Sequence, residues 1–216
     1  RMHGIDQAGR GEYPVEFGNY MAAVRWLTPG MDQWGTEKNV VKDKLSSSLT
    51  HLYDRRRAWL EGNHSIGWDV TPGALLDLMH YHYAAGMNQY SLHGLYYSTL
   101  GGWWEWAPPC FHFRMPYWNH TDVWFKYVER LSYLMSQGEH RCDVAVVYPI
   151  TQGQALMRDR GKDFATSMIS VTDELFNQGI DFDLIDDASI HRAEIKDGKL
   201  MVAGETFRVL VLPDLR

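Results

Sequence analysis

Arg57-Ala58-Trp59-Leu60-Glu61 is an apolar run of strand length that ends on a carboxylate, and the polar residues 62–69 behind it read as a loop. Upstream, Val40, Val41, Leu45, Leu49 and Leu52 recur at helical spacing across residues 39–53, which predicts an amphipathic helix. Downstream, Thr71-Pro72 supplies the N-cap and first-turn proline of a second helix carrying Leu75, Leu76, Leu78 and Met79 until Gly86 ends it. Farther out, residues 21–27 form a short apolar run closed by Thr28-Pro29-Gly30, and residues 87–97 return to strand-like composition. A long loop over 98–120 then leads to a helix over 121–137, while residues 1–20 are Gly-rich and polar without a clear period. Strand and helix alternating in steps of about 30 residues is the βαβ rhythm of a parallel sheet.

A second series with the same rhythm opens at Asp143-Val144-Ala145-Val146-Val147-Tyr148-Pro149-Ile150. Its helix is predicted over about 163–178, closed by Gly179, with a strand at 180–185. Residues 199–202 and 206–212 follow across the turn Ala203-Gly204-Glu205, as a hairpin or two neighbouring strands.

Composition bounds the function. The chain has 216 residues, 45% hydrophobic and 22% charged, with net charge −6, so fibrous, disordered and membrane-spanning classes are excluded. Lys and Arg total 21 against 27 Asp and Glu, which leaves no basic surplus for nucleic acid, and no membrane partner is expected. All nine tryptophans lie between residues 26 and 124, and the last 92 residues contain none. That shift predicts two units, 1–140 and 141–216. The chain starts on Arg1 and stops in Val209-Leu210-Val211-Leu212-Pro213, a strand entering a loop, so it reads as a piece cut at both ends. The compartment stays open between extracellular, periplasmic and cytoplasmic. Cys110 and Cys142 read as free thiols rather than a pair.

Parallel α/β architectures bind ligands at the carboxyl ends of their strands. Three such places follow the predicted strands: Pro29-Gly30-Met31-Asp32, Glu61-Gly62-Asn63-His64 and His93-Gly94-Leu95-Tyr96-Tyr97. Glu61, walled by Trp59 or Trp68, has the position of a base, acid or nucleophile in glycosyl transfer to water; beside Arg55, Arg56 and Arg57 it would equally serve as an ion-paired surface group. Asp32 would hold sugar hydroxyls or cap a helix, and His93 would bond a hydroxyl or sit satisfied in the core. The loop Gly101-Gly102-Trp103-Trp104-Glu105-Trp106-Ala107-Pro108-Pro109, continued by Phe111, Phe113, Tyr117 and Trp118, offers indole faces on which pyranose rings stack. His80 and His82 fall on different helix faces, and His112 and His120 lack partners at zinc-ligand spacing, so no metal site is expected from the sequence. No cofactor is required; calcium is left open.

Several ordered motifs together resemble the family 106 glycoside hydrolases, the α-L-rhamnosidase-like enzymes. They are Pro29-Gly30-Met31-Asp32, the helix Lys44-Leu45-Ser46-Ser47-Ser48-Leu49-Thr50-His51-Leu52-Tyr53, then Trp59-Leu60-Glu61-Gly62, Gly86-Met87-Asn88 and His93-Gly94. In that group a Ser-Ser-x-x-His-Leu-Tyr helix precedes a strand ending in Glu, and an aromatic loop with Pro-Pro follows. The resemblance covers roughly residues 28–150 and implies the last strands of a (β/α)8 TIM barrel, with Glu61 one member of a catalytic carboxylate pair whose other member lies on an earlier strand. It also brings His51 into the substrate-binding set with Asp32, Trp68, His93, Tyr97 and Trp104. Gly62-Asn63-His64 departs from the Ala-Phe-Thr or similar expected after the glutamate, so the sugar preference is not carried over.

Residues 143–216 resemble the flavodoxin-like, amidotransferase-like domain that follows the barrel in family 42 β-galactosidases. Cys142 precedes a strand instead of following one, so this unit is expected to be noncatalytic and to serve packing, cleft wall or homo-oligomer contacts. The expectation is thus part of a glycoside hydrolase acting on an oligo- or polysaccharide or glycoside, inactive as this piece alone. Its alternatives are a retaining β-galactosidase-like hydrolase and a noncatalytic carbohydrate-binding protein.

Overall fold

The computed structural model describes residues 4–5, 28–36, 38–96, 107–109, 111–113, 115–148, 150–156 and 161–213. The strand expected at 21–27, the candidate residues Tyr97 and Trp104, Cys110 and the loop tryptophans 103 and 106 lie outside them. In chain order the first part comprises β1 (Gly4–Ile5), β2 (Thr28–Trp34), α1 (Val40–Leu52), β3 (Trp59–His64), α2 (Pro72–Ala84), β4 (Gln89–Leu92) and α3 (Thr121–Met135). The second comprises β5 (Val144–Tyr148), α4 (Ile150–Leu156), α5 (Gly161–Asn177), β6 (Phe182–Asp186), α6 (Asp187–Arg192), β7 (Glu194–Lys196), β8 (Lys199–Val202), β9 (Glu205–Phe207) and β10 (Val209–Val211). Among the described residues no helix is long and apolar enough to cross a membrane.

The first four strands form one parallel sheet in the order β1-β2-β3-β4, as the βαβ rhythm predicts. Met31, Leu60 and Tyr90 stand in register on one face and pack with Met79 and Tyr83 of α2 and Val128 of α3. Two boundaries differ from expectation. Thr28-Pro29-Gly30-Met31-Asp32 belongs to strand β2 and is not a turn and loop; Glu61 is the third of six residues in β3, with Gly62-Asn63-His64 completing the strand. The glycines misread as punctuation are there for packing. A Cβ on Gly30 would lie 2.2 Å from Trp59 Nε1, and one on Gly62 would lie 2.2 Å from Tyr90 Oη, so each glycine leaves room for a neighbouring ring.

Helix α2 begins as its sequence dictates, with Thr71 Oγ1 accepting from Ala74 N at 3.2 Å and Pro72 in the first turn. It ends against α1. Gly86 combines a φ of +107° with a hypothetical Cβ only 2.6 Å from Ser47 Cβ, so both backbone conformation and space require glycine. Ser47 Oγ donates to Ala85 O at 3.1 Å at the same contact.

Sheet two has the parallel order β10-β5-β6, and β7-β8-β9 form a small antiparallel sheet. Residues 206–212, expected as one strand, divide between β9 and β10, with Arg208 N and Val209 N both donating to Asp143 O where the chain passes from one sheet to the other. Val146, Tyr148, Phe182 and Leu184 share a core with Met168 of α5 and with Val40, Val41, Leu45 and Leu49 of α1. The opposite face packs Ala145, Val147 and Ile185 against Leu52, Val202 and Phe207. Cys142 is free and just ahead of β5; burial, with the Asp183 and Asp181 carboxylates, pushes its thiol pKa up and makes it unreactive.

Helix α1 was expected to be amphipathic, and twelve of its thirteen residues are buried. Its polar side is matched by other protein groups instead of water. Asp43 and His82 are both fully buried and bonded at 2.9 Å, Lys44 pairs with Asp181, and Ser48 Oγ accepts the Leu184 N–H at 2.8 Å. Ser48→Ala removes that acceptor from a buried strand amide, and the expected loss of stability is about 1–3 kcal/mol, read from the midpoint of urea unfolding at unchanged m-value.

Candidate active-site face

The strand rows on the sheet face away from α2 and α3 are set by register. Gly30, Trp59 and Gln89 form one row, and Asp32, Glu61 and Ser91 the next toward the carboxyl ends. Glu61 is 28% exposed, and its Oε1 accepts a hydrogen bond from His93 Nδ1 at 3.1 Å. A carboxylate only accepts, so the proton is on Nδ1, and Nε2 then accepts from Tyr96 Oη at 3.4 Å. The chain of contacts from Tyr96 to His93 to Glu61 fixes one carboxylate oxygen.

Supporting groups hold this corner. His93 N donates to Gly62 O at 2.9 Å, which extends the β3–β4 ladder to the histidine itself. The His64 ring lies 4.1 Å from the His93 ring, tilted by 54°, and His64 Nδ1 is 2.9 Å from Ser65 Oγ. Gly67 N donates to Pro108 O and Phe111 N to Gly94 O, so the described ends of the aromatic loop are tied to the loops after β3 and β4. Within that loop Phe111 is 2% exposed and Phe113 is 75% exposed. The former serves packing, while the latter stacks on the His112 ring at 4.8 Å with most of its surface exposed. Trp68, in the loop after β3, is also exposed.

The structure therefore brings Glu61 and His93 into contact, puts Asp32 in register beside Glu61, and adds His64 and Tyr96, which sequence reasoning did not single out. The signal was available only after strand register was known: two-residue steps from Glu61 mark a face, but not which residues of neighbouring strands share its row. A cavity of about 510 Å3 between α2 and α3, lined by Leu75, Leu92, Phe111, Tyr117 and Trp124, is apolar and includes neither Glu61 nor His93. Burial pushes the Tyr117 hydroxyl there up to about 12, and it donates to Val70 O at 3.2 Å.

His51 is elsewhere. It closes α1 and bonds Asp183 Oδ1 through Nδ1 at 2.9 Å, with its ring stacked 3.7 Å from that of His140. Asp181 and Glu205 complete this second cluster. Burial there opposes a charged imidazole, but the carboxylates of Asp181, Glu205 and Asp183 prevail and raise the His140 pKa to about 9, while Asp183 is held below the ordinary carboxylate range despite its burial, chiefly by His51. His80 and His82 do take different faces, the first on Tyr127 Oη at 2.8 Å and the second on Asp43.

A glycoside hydrolase family model matches residues 19–216, which gives the class. The chain belongs to that family, glycoside hydrolase family 106, described as alpha-L-rhamnosidase. Among solved structures, the rhamnosidase from Novosphingobium sp. PP1Y is similar in fold, with TM-score 0.65 and 17% identity over 89% of this chain. The chain spans 19% of that protein's length. No curated protein matches it.

The close approach at Gly62 yields a direct test of the site's scaffold. Gly62→Ala drives a methyl into partly buried Tyr90 and is expected to destabilise by about 1–3 kcal/mol, whereas Gly73→Ala, whose nearest neighbour would be Thr71 Oγ1 at 3.9 Å, leaves stability unchanged or improved in thermal denaturation.

Proposed function

We propose that this chain carries part of the active site of a hydrolase of O-glycosidic bonds, with α-L-rhamnosides as the first substrate class to test. The observation that carries the reading is the Glu61 carboxylate, half-buried in a parallel sheet and oriented by His93 at 3.1 Å. In water-dependent glycosyl transfer such a group either takes a proton from the attacking water or bonds the anomeric carbon itself. A second carboxylic acid protonates the departing oxygen. His93 is a positioning residue acting through Glu61, and Trp68 and Phe113 offer stacking faces to the sugar ring. Asp32, in register with Glu61, is assigned to hydroxyl binding.

The four parallel strands β1–β4 are read as the last portion of a (β/α)8 barrel, and β5, β6 and β10 as the start of a flavodoxin-like companion domain, with the boundary near residue 140. The matched family supports a glycan as substrate. Because one member of the carboxylate pair is assigned to this chain, hydrolysis is expected from the longer enzyme that includes it and not from these 216 residues alone.

In that enzyme, Glu61→Gln should lower kcat for an aryl α-L-rhamnopyranoside by about 10²–10⁴-fold with the melting temperature retained. Unchanged turnover would overturn the assignment of Glu61. His93→Ala should lower kcat by less and leave KM nearly constant. The anomer released first, read by proton NMR, distinguishes a retaining from an inverting reaction.

A further inference from the structure

We infer that His51, His140, Asp183 and Glu205 form a closed binding site for one divalent transition-metal cation, with Zn2+ the best match. The four residues come from the end of α1, the connector before β5, the second position of β6 and the start of β9, and one ligand atom from each lies within 4.8 Å of all the others. His140 Nδ1 is 3.3 Å from Glu205 Oε1 and 3.7 Å from Asp183 Oδ2. Zinc bonds of about 2.0–2.1 Å in a tetrahedron place ligand atoms roughly 3.3–3.4 Å apart, so the spacing suits the ion once the two imidazoles, stacked within 9° of parallel, rotate to aim one nitrogen each at it.

The hydrogen-bond inventory points the same way. Asp183 is fully buried and Glu205 nearly so, yet Asp183 Oδ2, Glu205 Oε2 and His140 Nδ1 have no hydrogen-bond partner among the described residues. His140 meets these carboxylates only at ion-pair distances of 3.3 and 3.7 Å and without a hydrogen bond, whereas a bound metal ion would be held directly by all three atoms. On the far side of its ring, His140 Nε2 bonds Asp181 Oδ2 at 2.9 Å, the carboxylate support that orients metal-binding imidazoles. Asp181 in turn is paired with Lys44.

Two imidazoles and two carboxylates suit Zn2+ or a neighbouring first-row ion, whereas Ca2+ and Mg2+ require more oxygen donors. With four protein ligands the site leaves no open position, so its role is structural: it fastens α1 to β6 and to the β8–β9 hairpin.

The test begins with protein stripped by a chelator and dialysed metal-free. Calorimetric titration with Zn2+ should give one equivalent bound per chain, with the melting temperature raised by about 5–10 °C at a hundredfold excess over Kd. Co2+ in place of Zn2+ should give the intense visible bands of four-coordinate cobalt. His140→Ala and Glu205→Gln should abolish both signals. Asp181→Asn should weaken Zn2+ binding by about 10–100-fold while leaving the Co2+ spectrum four-coordinate. Absence of Zn2+ binding, a weak six-coordinate Co2+ spectrum, or undiminished binding in folded His140→Ala would each overturn the proposal. If the two ligand variants fail to fold, the wild-type Co2+ spectrum and the Asp181→Asn affinity decide it alone.

Discussion

Everything in this structure depends on burying a helix that is half polar. Helix α1 lies between the first sheet and the second, so its polar side chains lose water on both sides and each needs a protein partner. The partners fall into stripes at helical spacing. Lys44, Ser48 and His51 address β6 and its entry through Asp181, Leu184 N and Asp183, while Asp43 and Ser47 address α2 through His82 and Ala85 O. Leu45 and Leu49 fill the apolar contact with Phe182 and Leu184. Because these stripes sit on one rigid helix, shifting β6 by one residue would break the Lys44, Ser48 and His51 contacts together. The helix is therefore a ruler that registers one sheet against the other.

That arrangement explains what could be read in the sequence. The helix limits were legible because capping chemistry is local: Asn39 and Thr71 open helices through their own side chains, and Gly86 and Gly179 close them at positive φ. The meaning of α1 was not legible, since a polar face directed at protein has the same periodicity as one directed at water. Likewise Gly30 and Gly62 carry the composition of turns while their cause lies in Trp59 and Tyr90 on neighbouring residues and strands. A sequence pattern records which residues alternate; it does not record what stands opposite them.

The two functional clusters divide along the same line. Glu61 and His93 were found from strand position and residue type, and the structure adds a direct hydrogen bond between them. Tyr96 and His64 stand within the strand-end stretches, and their contacts with His93 became visible only once β3 and β4 were set side by side. The cluster around His140 has ligands spread over residues 51, 140, 183 and 205, a separation that defeats any reading based on short spacing. Its buried carboxylates occupy β6 and the start of β9, where composition alone would lead one to expect apolar residues or solvent-facing ones.

Geometry also separates the roles of the two clusters. In a parallel βαβ unit the crossover helix runs back from the carboxyl end of one strand to the amino end of the next. Helix α1 starts after β2 and, over its thirteen residues, travels about 20 Å. His51, one residue from its end, therefore lies toward the amino end of β3, whereas Glu61 lies in the middle of β3 and His93 just past the carboxyl end of β4. A histidine at that distance acts on the sheet-to-sheet joint and not on a sugar at the strand ends. The family motif that includes His51 thus combines two constraints in one helix: its first turns follow the strand beside the candidate active face, and its last turn anchors the companion sheet that holds the helix in place.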